Sequence, residues 1–334
     1  MRYIDDNLNG KNILITGGAG FIGSNLAFYF QKNHPEARVV VFDSFRSDEK
    51  FPSGNFKSLG HFKNLIGFEG EVIGGDINNQ ADIQRLKNYK FDYIFHEAAI
   101  SDTTVLDQEL MLRTNVNAFK DLLKMAVEMD ASMIYASSAG TYGNSSAPNI
   151  VGKGEEPENV YGFSKLMMDN LAYEYMERYD IGIVGLRYFN VYGASEYYKG
   201  TTASMILQLG IQALNKGKVR LFKYGEQKRD FVHIEDVVQA NIKAMQTKKS
   251  GVYNVGFGVA REFNHIVDSL KAAGIDGFEV EYFDNPYKFY QNHTEADISK
   301  SEEFLGYKPN YPLEKGVLEY VDEIKRWAKK EASE

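Results

Sequence analysis

Short apolar runs rich in β-branched residues alternate with longer amphipathic stretches of helical length over the first part of the chain. Runs of this kind are predicted as strands at Asn12–Thr16, Val39–Phe42, Glu71–Ile73, Tyr93–His96, Met133–Ser137 and Ile183–Leu186. Parallel neighbouring strands need a crossover connection, and the crossover helix covers the sheet. The pattern therefore predicts an α/β fold, namely a Rossmann-type doubly wound parallel sheet.

The hydrophobic pattern changes after about residue 190, where loops rich in Gly and Tyr separate shorter elements. A strand is predicted at Val219–Phe222, and helices are predicted at Glu235–Met245 and Arg261–Ala273. We expect residues 12–189 to form the Rossmann domain and residues 190–334 to form mainly a smaller C-terminal α/β substrate lobe. No Pro- or Ser-rich linker separates them, so some later segments are expected to return to the first domain. Residues 1–11 are a short N-terminal extension to which the sequence assigns no role.

The composition excludes several classes of function. The 334 residues include 46 acidic and 38 basic side chains, which gives a formal net charge of −8 and disfavours nucleic acid and anionic membranes as partners. The chain has no cysteine and its histidines show no metal-binding spacing, so we predict neither a disulfide nor a metal site. The N-terminus lacks a signal-peptide pattern and no run of about 18 apolar residues occurs, so a cytoplasmic protein is expected.

A glycine-rich motif, Thr16–Gly23, follows the first predicted strand and opens a helical pattern. In this context the three spaced glycines permit a tight turn, a close approach of the backbone to a pyrophosphate, and close packing of helix on strand. The N-terminus of the helix would face the phosphates. The motif predicts a dinucleotide cofactor, so residues 12–189 are expected to be an NAD(P)-binding domain.

Charged residues after the second predicted strand bear on which nicotinamide dinucleotide binds. Asp43 ends that strand about 20 residues beyond the last glycine, where a carboxylate would hydrogen-bond the adenosine ribose of NAD. Arg46 and Lys50 follow closely, and either cation would pair with the 2′-phosphate of NADP, although each also fits a solvated loop. The sequence therefore favours NADP and leaves NAD open.

A candidate catalytic pair occurs at the start of a predicted helix. Tyr161 and Lys165 are four residues apart, which puts them on one helix face with Cβ atoms about 5–6 Å apart. A tyrosine with a pKa of about 10 is a poor base at neutral pH, but a nearby ammonium and a nicotinamide cation would stabilise its phenolate. Ser138 and Thr141, at and beyond the end of an upstream strand, are candidates to hold a substrate oxygen.

Together these motifs resemble the extended short-chain dehydrogenase/reductase family, or NAD-dependent epimerase/dehydratases. The resemblance extends over nearly the whole chain and rests on TGGAGFIG at Thr16–Gly23, the Ser137–Ser138 strand end, the Tyr161/Lys165 pair and RYFNVYG at Arg187–Gly193. It implies that Tyr161 is the general acid/base, that Lys165 supports it and binds the nicotinamide ribose, and that Ser138 orients the reacting oxygen. The implied cofactor contacts are Gly17, Gly20, Phe21, Ile22, Gly23, Asp43, Ser44, Arg46, Lys50, Asp76, Ile77, Glu97, Ala98, Ala99, Ser101, Asn115, Tyr161, Lys165 and Val191.

Within that family, finer motifs are similar to the ADP-glyceromanno-heptose 6-epimerases. These motifs are His96–Ala99 with Ser101, Thr103–Thr104, Asn115, Lys199–Gly200 and, near the C-terminus, Tyr290–Asp297. The resemblance implies inversion of C6 of an ADP-linked heptose, made for lipopolysaccharide core, by transient hydride transfer to tightly held NADP. It also implies a homo-oligomer, in this family a homopentamer.

Lys199 matches the position of a second acid/base group in these epimerases, on the face of the sugar opposite Tyr161. The alternative is a phosphate-binding or surface lysine, because a lysine base requires a lowered pKa. Arg229 would clamp the substrate diphosphate, or else form a structural salt bridge. The substrate contacts implied by the resemblance are Ser101, Asn190, Thr201, Gln208, Phe222, Gly225, Arg229 and Tyr290. Gln208 and Thr201 stand where the family often has His and Ser, which leaves the substrate detail open.

Two other functions are compatible with the sequence. One is an epimerase or reductase of the same family that acts on another nucleotide sugar and shares both the fold and Tyr161. The other belongs to a different class, a binding module that senses NADP without chemistry. Such a module has no need of a Tyr161/Lys165 pair.

Overall fold

The computed structural model describes residues 2–222, 224–284 and 293–333. Its strands are β1 (Asn12–Thr16), β2 (Arg38–Asp43), β3 (Glu71–Gly74), β4 (Tyr93–His96), β5 (Ser132–Ser138), β6 (Ile183–Tyr188), β7 (Asn190–Tyr192), β8 (Lys218–Phe222), β9 (Lys228–Arg229), β10 (Phe231–His233), β11 (Gly251–Val255), β12 (Arg261–Glu262) and β13 (Glu279–Phe283). Every strand predicted from the sequence is present, to within two residues at each end. These short apolar runs form strands because β-branched and aromatic residues pack well on a pleated, buried surface.

The α-helices of the described residues follow the predicted alternation with strands. They are α1 (Phe21–Asn33), α2 (Gln80–Leu86), α3 (Gln108–Leu112), α4 (Ala118–Met129), α5 (Val160–Arg178), α6 (Met205–Lys216), α7 (Ile234–Ala244), α8 (Phe263–Ala272), α9 (Ser299–Leu305) and α10 (Leu313–Glu331). Both helices predicted in the C-terminal half, now α7 and α8, are confirmed to within two residues. Across the described ranges, no helix has both the length and the apolar character needed to span a bilayer.

A central parallel sheet has the strand order β11-β6-β5-β4-β1-β2-β3. From β1 the chain builds β2 and β3 on one side, and then returns to build β4, β5 and β6 on the other. The strand order therefore reverses between β1 and β4. In open α/β sheets, ligands bind beyond the carboxyl ends of the strands at such a switch point.

Two apolar layers cover the sheet, and successive residues of β1 show how they form. Ile13 and Ile15 pack with residues of α1 and α7 on one face, whereas Leu14 packs with residues of α4 and α5 on the other. This alternation follows from the two-residue period of a strand. The fold class predicted from the sequence, a doubly wound Rossmann-type sheet, is confirmed.

Some segments of the C-terminal half form a core of their own, and others pack on the central sheet. Its own core joins buried residues of α6, α8, α10 and β8, and β8 pairs with β13 in parallel. In contrast, β11 adds to the edge of the central sheet beside β6, and α7 packs against α1. The segments of α7 and β11 are therefore parts of the predicted substrate region that lie with the Rossmann sheet.

The N-terminal extension is built into the layer formed by α1 and α7. Ile4 and Leu8 are each only 3% exposed. The ring of Tyr3 stacks on Tyr29 with centroids 5.4 Å apart, and the Tyr3 hydroxyl donates to the Glu235 carbonyl oxygen at 3.2 Å. Residues to which the sequence assigned no role thus form a packed part of the core.

Candidate active site

A cavity of about 1230 Å³ opens beyond the carboxyl ends of the central strands, at the switch point. Its floor is the glycine-rich loop after β1. Gly17 has φ +69°, and a Cβ atom there would lie 2.6 Å from the backbone nitrogen of Ala98. A Cβ atom on Gly23 would lie 2.3 Å from the carbonyl oxygen of Gly17. Only glycine permits this tight approach of the loop to β4 and α1.

The N-terminus of α1 points its free backbone groups toward this cavity. Its N-cap residue is Gly20, which has no side chain to accept from the first N–H groups. Helix N-termini with open N–H groups bind phosphates because the N–H groups and the helix dipole favour negative charge. The loop and helix therefore fit a diphosphate group.

Asp43 closes β2 at the side of the same cavity. Its two carboxylate oxygens accept from the backbone nitrogens of Ala19 and Phe45, at 2.9 and 2.8 Å. Burial raises the pKa of Asp43, and the two backbone hydrogen bonds oppose that rise. These bonds fix the carboxylate beside the glycine-rich loop, where it can accept from a ribose hydroxyl.

Tyr161 and Lys165 project from the first turns of α5. The helix begins at Val160 because the Asn159 side chain accepts from the backbone nitrogen of Gly162 at 2.8 Å. The Lys165 ammonium donates to the Ala136 carbonyl oxygen at 2.7 Å and lies 6.0 Å from the centre of the Tyr161 ring. The pair therefore shares one face of the helix, as the spacing predicted.

Burial shifts the pKa of both members of the pair. It raises the pKa of Tyr161, and a hydrogen bond with Ser138 at the end of β5 opposes this rise. Burial lowers the pKa of Lys165 to about 8, although the charges of Glu97 and Asp169 act in the other direction. At Tyr161 burial outweighs the Ser138 hydrogen bond, so the phenol is protonated at neutral pH.

Glu97 is a further titratable group in the cavity wall. Burial raises its pKa to about 7, while a hydrogen bond from Tyr188 and the charge of Lys165 oppose the rise. The Tyr188 hydroxyl donates to Glu97 Oε1 at 2.9 Å. Glu97 and Lys165, whose charges interact, therefore both have pKa values close to neutral.

Lys199 enters the cavity from the other half of the chain, on the 3₁₀ turn Tyr197–Thr202. The buried Glu196 carboxylate supports this turn because it accepts from the backbone nitrogen of Gly193 at 3.1 Å and from the Ser204 hydroxyl at 2.8 Å. The Lys199 ammonium lies 5.3 Å from the centre of the Phe21 ring. Burial lowers the pKa of Lys199, and the charge of Glu196 opposes the shift. A lysine with a lowered pKa can act as a base.

Asn115 supports the loop that follows β4. It lies in a π-helical segment, Arg113–Asn117, of the kind that often occurs at functional sites. Its side chain accepts from the backbone nitrogen of Ile100 at 2.9 Å and donates to the Ile100 carbonyl oxygen at 3.0 Å. It also donates to Ser164 Oγ at 2.9 Å. Asn115 thereby joins the cavity wall to the helix that carries Tyr161.

A family model described as "NAD dependent epimerase/dehydratase family" matches residues 13–256. The chain belongs to the NAD-dependent epimerase/dehydratase family. Members of this family depend on a nicotinamide cofactor, and the glycine-rich loop, the open N-terminus of α1 and Asp43 fit its pyrophosphate and ribose. Metal-binding residues do not cluster here: within the described ranges, no three His, Asp or Glu side chains are grouped to hold an ion.

Three solved structures of epimerases are similar to this chain along nearly its whole length. ADP-L-glycero-D-manno-heptose-6-epimerase of Helicobacter pylori is 56% identical, with a TM-score of 0.91 over 97% of this chain and 99% of that one. UDP-glucose 4-epimerase of Thermotoga maritima is 27% identical, with a TM-score of 0.83 over 95% and 99%. UDP-glucuronic acid 4-epimerase of Bacillus cereus, solved with UDP-glucuronic acid and NAD, is 28% identical, with a TM-score of 0.80 over 95% and 99%.

Most site residues predicted from the sequence lie together in the wall of this cavity. The predicted residues that line it are Gly17, Gly20, Phe21, Ile22, Gly23, Asp43, Ser44, Asp76, Ile77, Glu97, Ala98, Ala99, Ser101, Ser138, Tyr161, Lys165, Asn190, Val191 and Lys199. They come from positions as far apart as Gly17 and Lys199. The parallel strand ends bring most of them together, and the turn Tyr197–Thr202 adds Lys199.

Other predicted site residues lie outside the cavity lining of the described residues, as does Thr141, which is buried and donates to the Ser138 carbonyl oxygen. Arg46 donates to the Tyr198 carbonyl oxygen, and the Lys50 ammonium lies over the Phe56 ring. The others are Asn115, Thr201, Gln208, Phe222, Gly225 and Arg229. Tyr290 lies outside the described residues.

The sequence did not single out Lys57, which lines the cavity. It follows Phe56 in a short two-stranded turn closed by the Lys50–Phe56 bridge. Its neighbour Ser58 accepts from the Ser44 hydroxyl at 3.2 Å, next to Asp43. Its ammonium pairs with Glu49 at 2.8 Å. Successive residues of an extended strand point to opposite sides. The Lys50–Phe56 pairing therefore has to be known before one can tell that Lys57, and not Lys50, faces the cavity.

Proposed function

We propose that the enzyme inverts C6 of ADP-D-glycero-D-manno-heptose to give ADP-L-glycero-D-manno-heptose. The observation that carries this proposal is that Tyr161 and Lys199 enter one cavity from separate elements, α5 and the 197–202 turn. Epimerisation through a ketone needs a proton-transfer group for each epimer. The 56% identity to the Helicobacter pylori enzyme of this name supports the choice of an ADP-linked heptose as substrate.

The residues of α5 and β5 serve one face of the reacting carbon. Tyr161 takes the proton of the substrate hydroxyl, or returns it to the ketone oxygen, while the Ser138 hydroxyl orients that oxygen. Lys165 holds its ammonium against the Ala136 carbonyl oxygen, beside the phenol, and favours the phenolate when the proton is taken. A bound nicotinamide cofactor supplies the acceptor and then the donor of the hydride, so the reaction has no net redox change.

Lys199 is the proton-transfer group for the other epimer. Because burial lowers its pKa, a larger fraction of its amine is neutral at neutral pH than for an exposed lysine. The neutral amine takes the hydroxyl proton of one epimer, and the ammonium returns a proton to the ketone when the reaction runs the other way. After the ketone has turned its other face to the cofactor, either Tyr161 or Lys199 completes the inversion.

We further propose that the cofactor is NADP and that Lys57 selects it. Lys57 lines the cavity near Ser44, which follows the ribose-side carboxylate Asp43. The sequence-based prediction gave this role to Arg46 or Lys50, but both of those cations are directed at other groups. A 2′-phosphate beside Asp43 would draw the Lys57 ammonium from Glu49 into a charge-assisted hydrogen bond.

Replacing Lys57 by alanine is expected to lower the preference for NADP over NAD by about tenfold, the value of one charge-assisted hydrogen bond. The measurement is the ratio of the two dissociation constants for apoprotein, from fluorescence titration. Lys63→Ala, on the exposed turn nearby, is the matched control. A loss of preference in Lys50→Ala rather than Lys57→Ala would restore the role predicted from the sequence.

The substrate proposal is tested with purified protein and ADP-D-glycero-D-manno-heptose, without added cofactor. Anion-exchange chromatography separates the two epimers, and absorbance follows any net change in the nicotinamide. We expect interconversion of the epimers to an equilibrium mixture with no net reduction. An unchanged substrate, despite a bound and intact cofactor, would overturn the proposal and lead to assays with UDP-linked sugars. Sedimentation velocity on the same sample tests the predicted homopentamer.

A further inference from the structure

The loop between β2 and β3 carries residues 44–61, named here the clasp segment. One side of it forms the cavity wall beside Asp43, through Ser44, Ser58 and Gly60. It is anchored to the glycine-rich loop because the His61 backbone nitrogen donates to the Ala19 carbonyl oxygen at 2.9 Å. The clasp segment is therefore part of the wall that receives the adenosine end of the cofactor.

The other side of the clasp segment contacts the turn that carries Lys199. The Arg46 guanidinium donates to the Tyr198 carbonyl oxygen, and the His61 ring stacks on the Tyr198 ring with centroids 3.8 Å apart and planes 8° apart. The Thr201 hydroxyl donates to Asn55 Oδ1. Tyr198 and Thr201 flank Lys199 on both sides, so the turn is held across the base of the lysine side chain.

Asn55 has a second partner that fixes the orientation of its amide. Its Nδ2 donates to Asp102 Oδ2 at 2.8 Å, and the other oxygen of Asp102 accepts from the backbone nitrogen and hydroxyl of Thr104 at 2.8 and 2.6 Å. With Nδ2 committed to Asp102, Oδ1 is left to accept from Thr201. Asn55 thus bridges the loop after β4 and the turn of Lys199.

These contacts add to the support from Glu196 and to the hydrogen bonds within the turn, whose backbone is short and bends sharply. Gly200, directly after Lys199, has φ +59° and a non-helical conformation within the turn. The Lys199 ammonium must nevertheless keep its place in the cavity wall, 5.3 Å from the centre of the Phe21 ring. Displacement of a proton-transfer group by about 1 Å lowers a rate by as much as 10²-fold.

We propose that Asn55, which the clasp segment holds against the turn of Lys199, is a positioning residue for this second proton-transfer group. Arg46 and His61 act with Asn55 on the same turn. This inference rests on the proposed role of Lys199. It gives Arg46 a task other than binding a 2′-phosphate.

Four variants test the inference: Asn55→Ala, Thr201→Val, the double variant, and Thr201→Ser, which keeps the hydroxyl. We expect each of the first two to lower kcat about tenfold at unchanged KM and cofactor content. The double variant should be no slower than the slower single variant, because both remove one shared hydrogen bond. Thr201→Ser should stay within about twofold of the parent rate. If Asn55→Ala does not fold, the inference is tested by comparing kcat of Thr201→Val with kcat of Thr201→Ser.

The pH profile provides a readout that a merely structural role would not change. A loosened turn exposes Lys199 to water, so its pKa rises toward the ordinary value and the acid limb of kcat moves to higher pH in Asn55→Ala.

Additive effects in the double variant, a raised KM in Thr201→Val alone, or a fall in kcat that follows loss of cofactor would overturn the inference. If the enzyme leaves ADP-D-glycero-D-manno-heptose unchanged, the proposed function itself fails. If Lys199→Met retains full activity, the proposed role of Lys199 and this inference fail together. If Lys199→Met is inactive while Asn55→Ala and Thr201→Val are unimpaired, only this inference fails.

Discussion

Replacing Tyr161 by phenylalanine is expected to lower kcat for epimerisation by about 10²–10⁴-fold, the range for loss of a positioned acid/base group. The centre of the Tyr161 ring lies 6.0 Å from the Lys165 ammonium, and the substitution removes the hydroxyl while keeping the ring that packs near Phe51 and Ile100. The fold and the cavity wall should therefore be preserved. Steady-state rates in both directions, with bound cofactor measured after denaturation, provide the test.

The matched control for Tyr161→Phe is Tyr173→Phe, on the same helix but 40% exposed. That variant should keep kcat within about twofold of the parent, since surface substitutions have small effects. A Tyr161→Phe enzyme that interconverts the epimers at the parent rate would remove the phenol from the mechanism. Glu97, whose pKa of about 7 suits the task, would then be the next candidate for the general acid/base.

Replacing Lys199 by methionine should lower kcat by a similar factor of about 10²–10⁴. Methionine keeps the length and the packing over Phe21 but cannot carry a proton. In the parent enzyme, the direction that uses Lys199 as base needs the neutral amine, so its rate should fall as the pH drops below the lysine pKa. Because burial lowers that pKa, the fall in rate should occur at a pH below the ordinary pKa range for lysine. Rates from about pH 6 to 10 measure it.

Lys216→Met, at the exposed end of α6, is the control for the loss of a positive charge. It should leave both the rate and the pH profile unchanged. If Lys199→Met raises KM without lowering kcat, Lys199 binds the substrate diphosphate instead, as the alternative interpretation of the sequence holds. Such a result would leave Tyr161 as the acid/base group on one face and require another group for the second.

The sheet and the catalytic elements could be predicted because their signals are local in sequence. The strand ends, the glycine spacing at Gly17–Gly23 and the interval between Tyr161 and Lys165 each report a geometry set within a few residues. The order of these motifs along a parallel sheet then brings them to one edge. Family resemblance added Lys199, which no spacing rule would have selected.

The parts that the sequence did not reveal depend on contacts between distant segments. Which cation of Arg46, Lys50 and Lys57 faces the cavity is decided by the pairing of the turn and by the contact of Arg46 with Tyr198. The near-neutral pKa of Glu97 arises from burial, which no motif reports. Packing of the N-terminal extension likewise requires a partner on α7.

The contacts of that extension can form only late in the synthesis of the chain. Tyr3 is synthesised 232 positions before its partner Glu235. At about 20 residues per second, more than about 10 s pass before the two can meet. The edge of β6 is also uncovered until β11 has been made. A nascent chain that has completed only residues 12–189 therefore exposes an unpaired strand edge and an unfinished apolar layer. For that interval we expect it to bind chaperones and to be prone to aggregation.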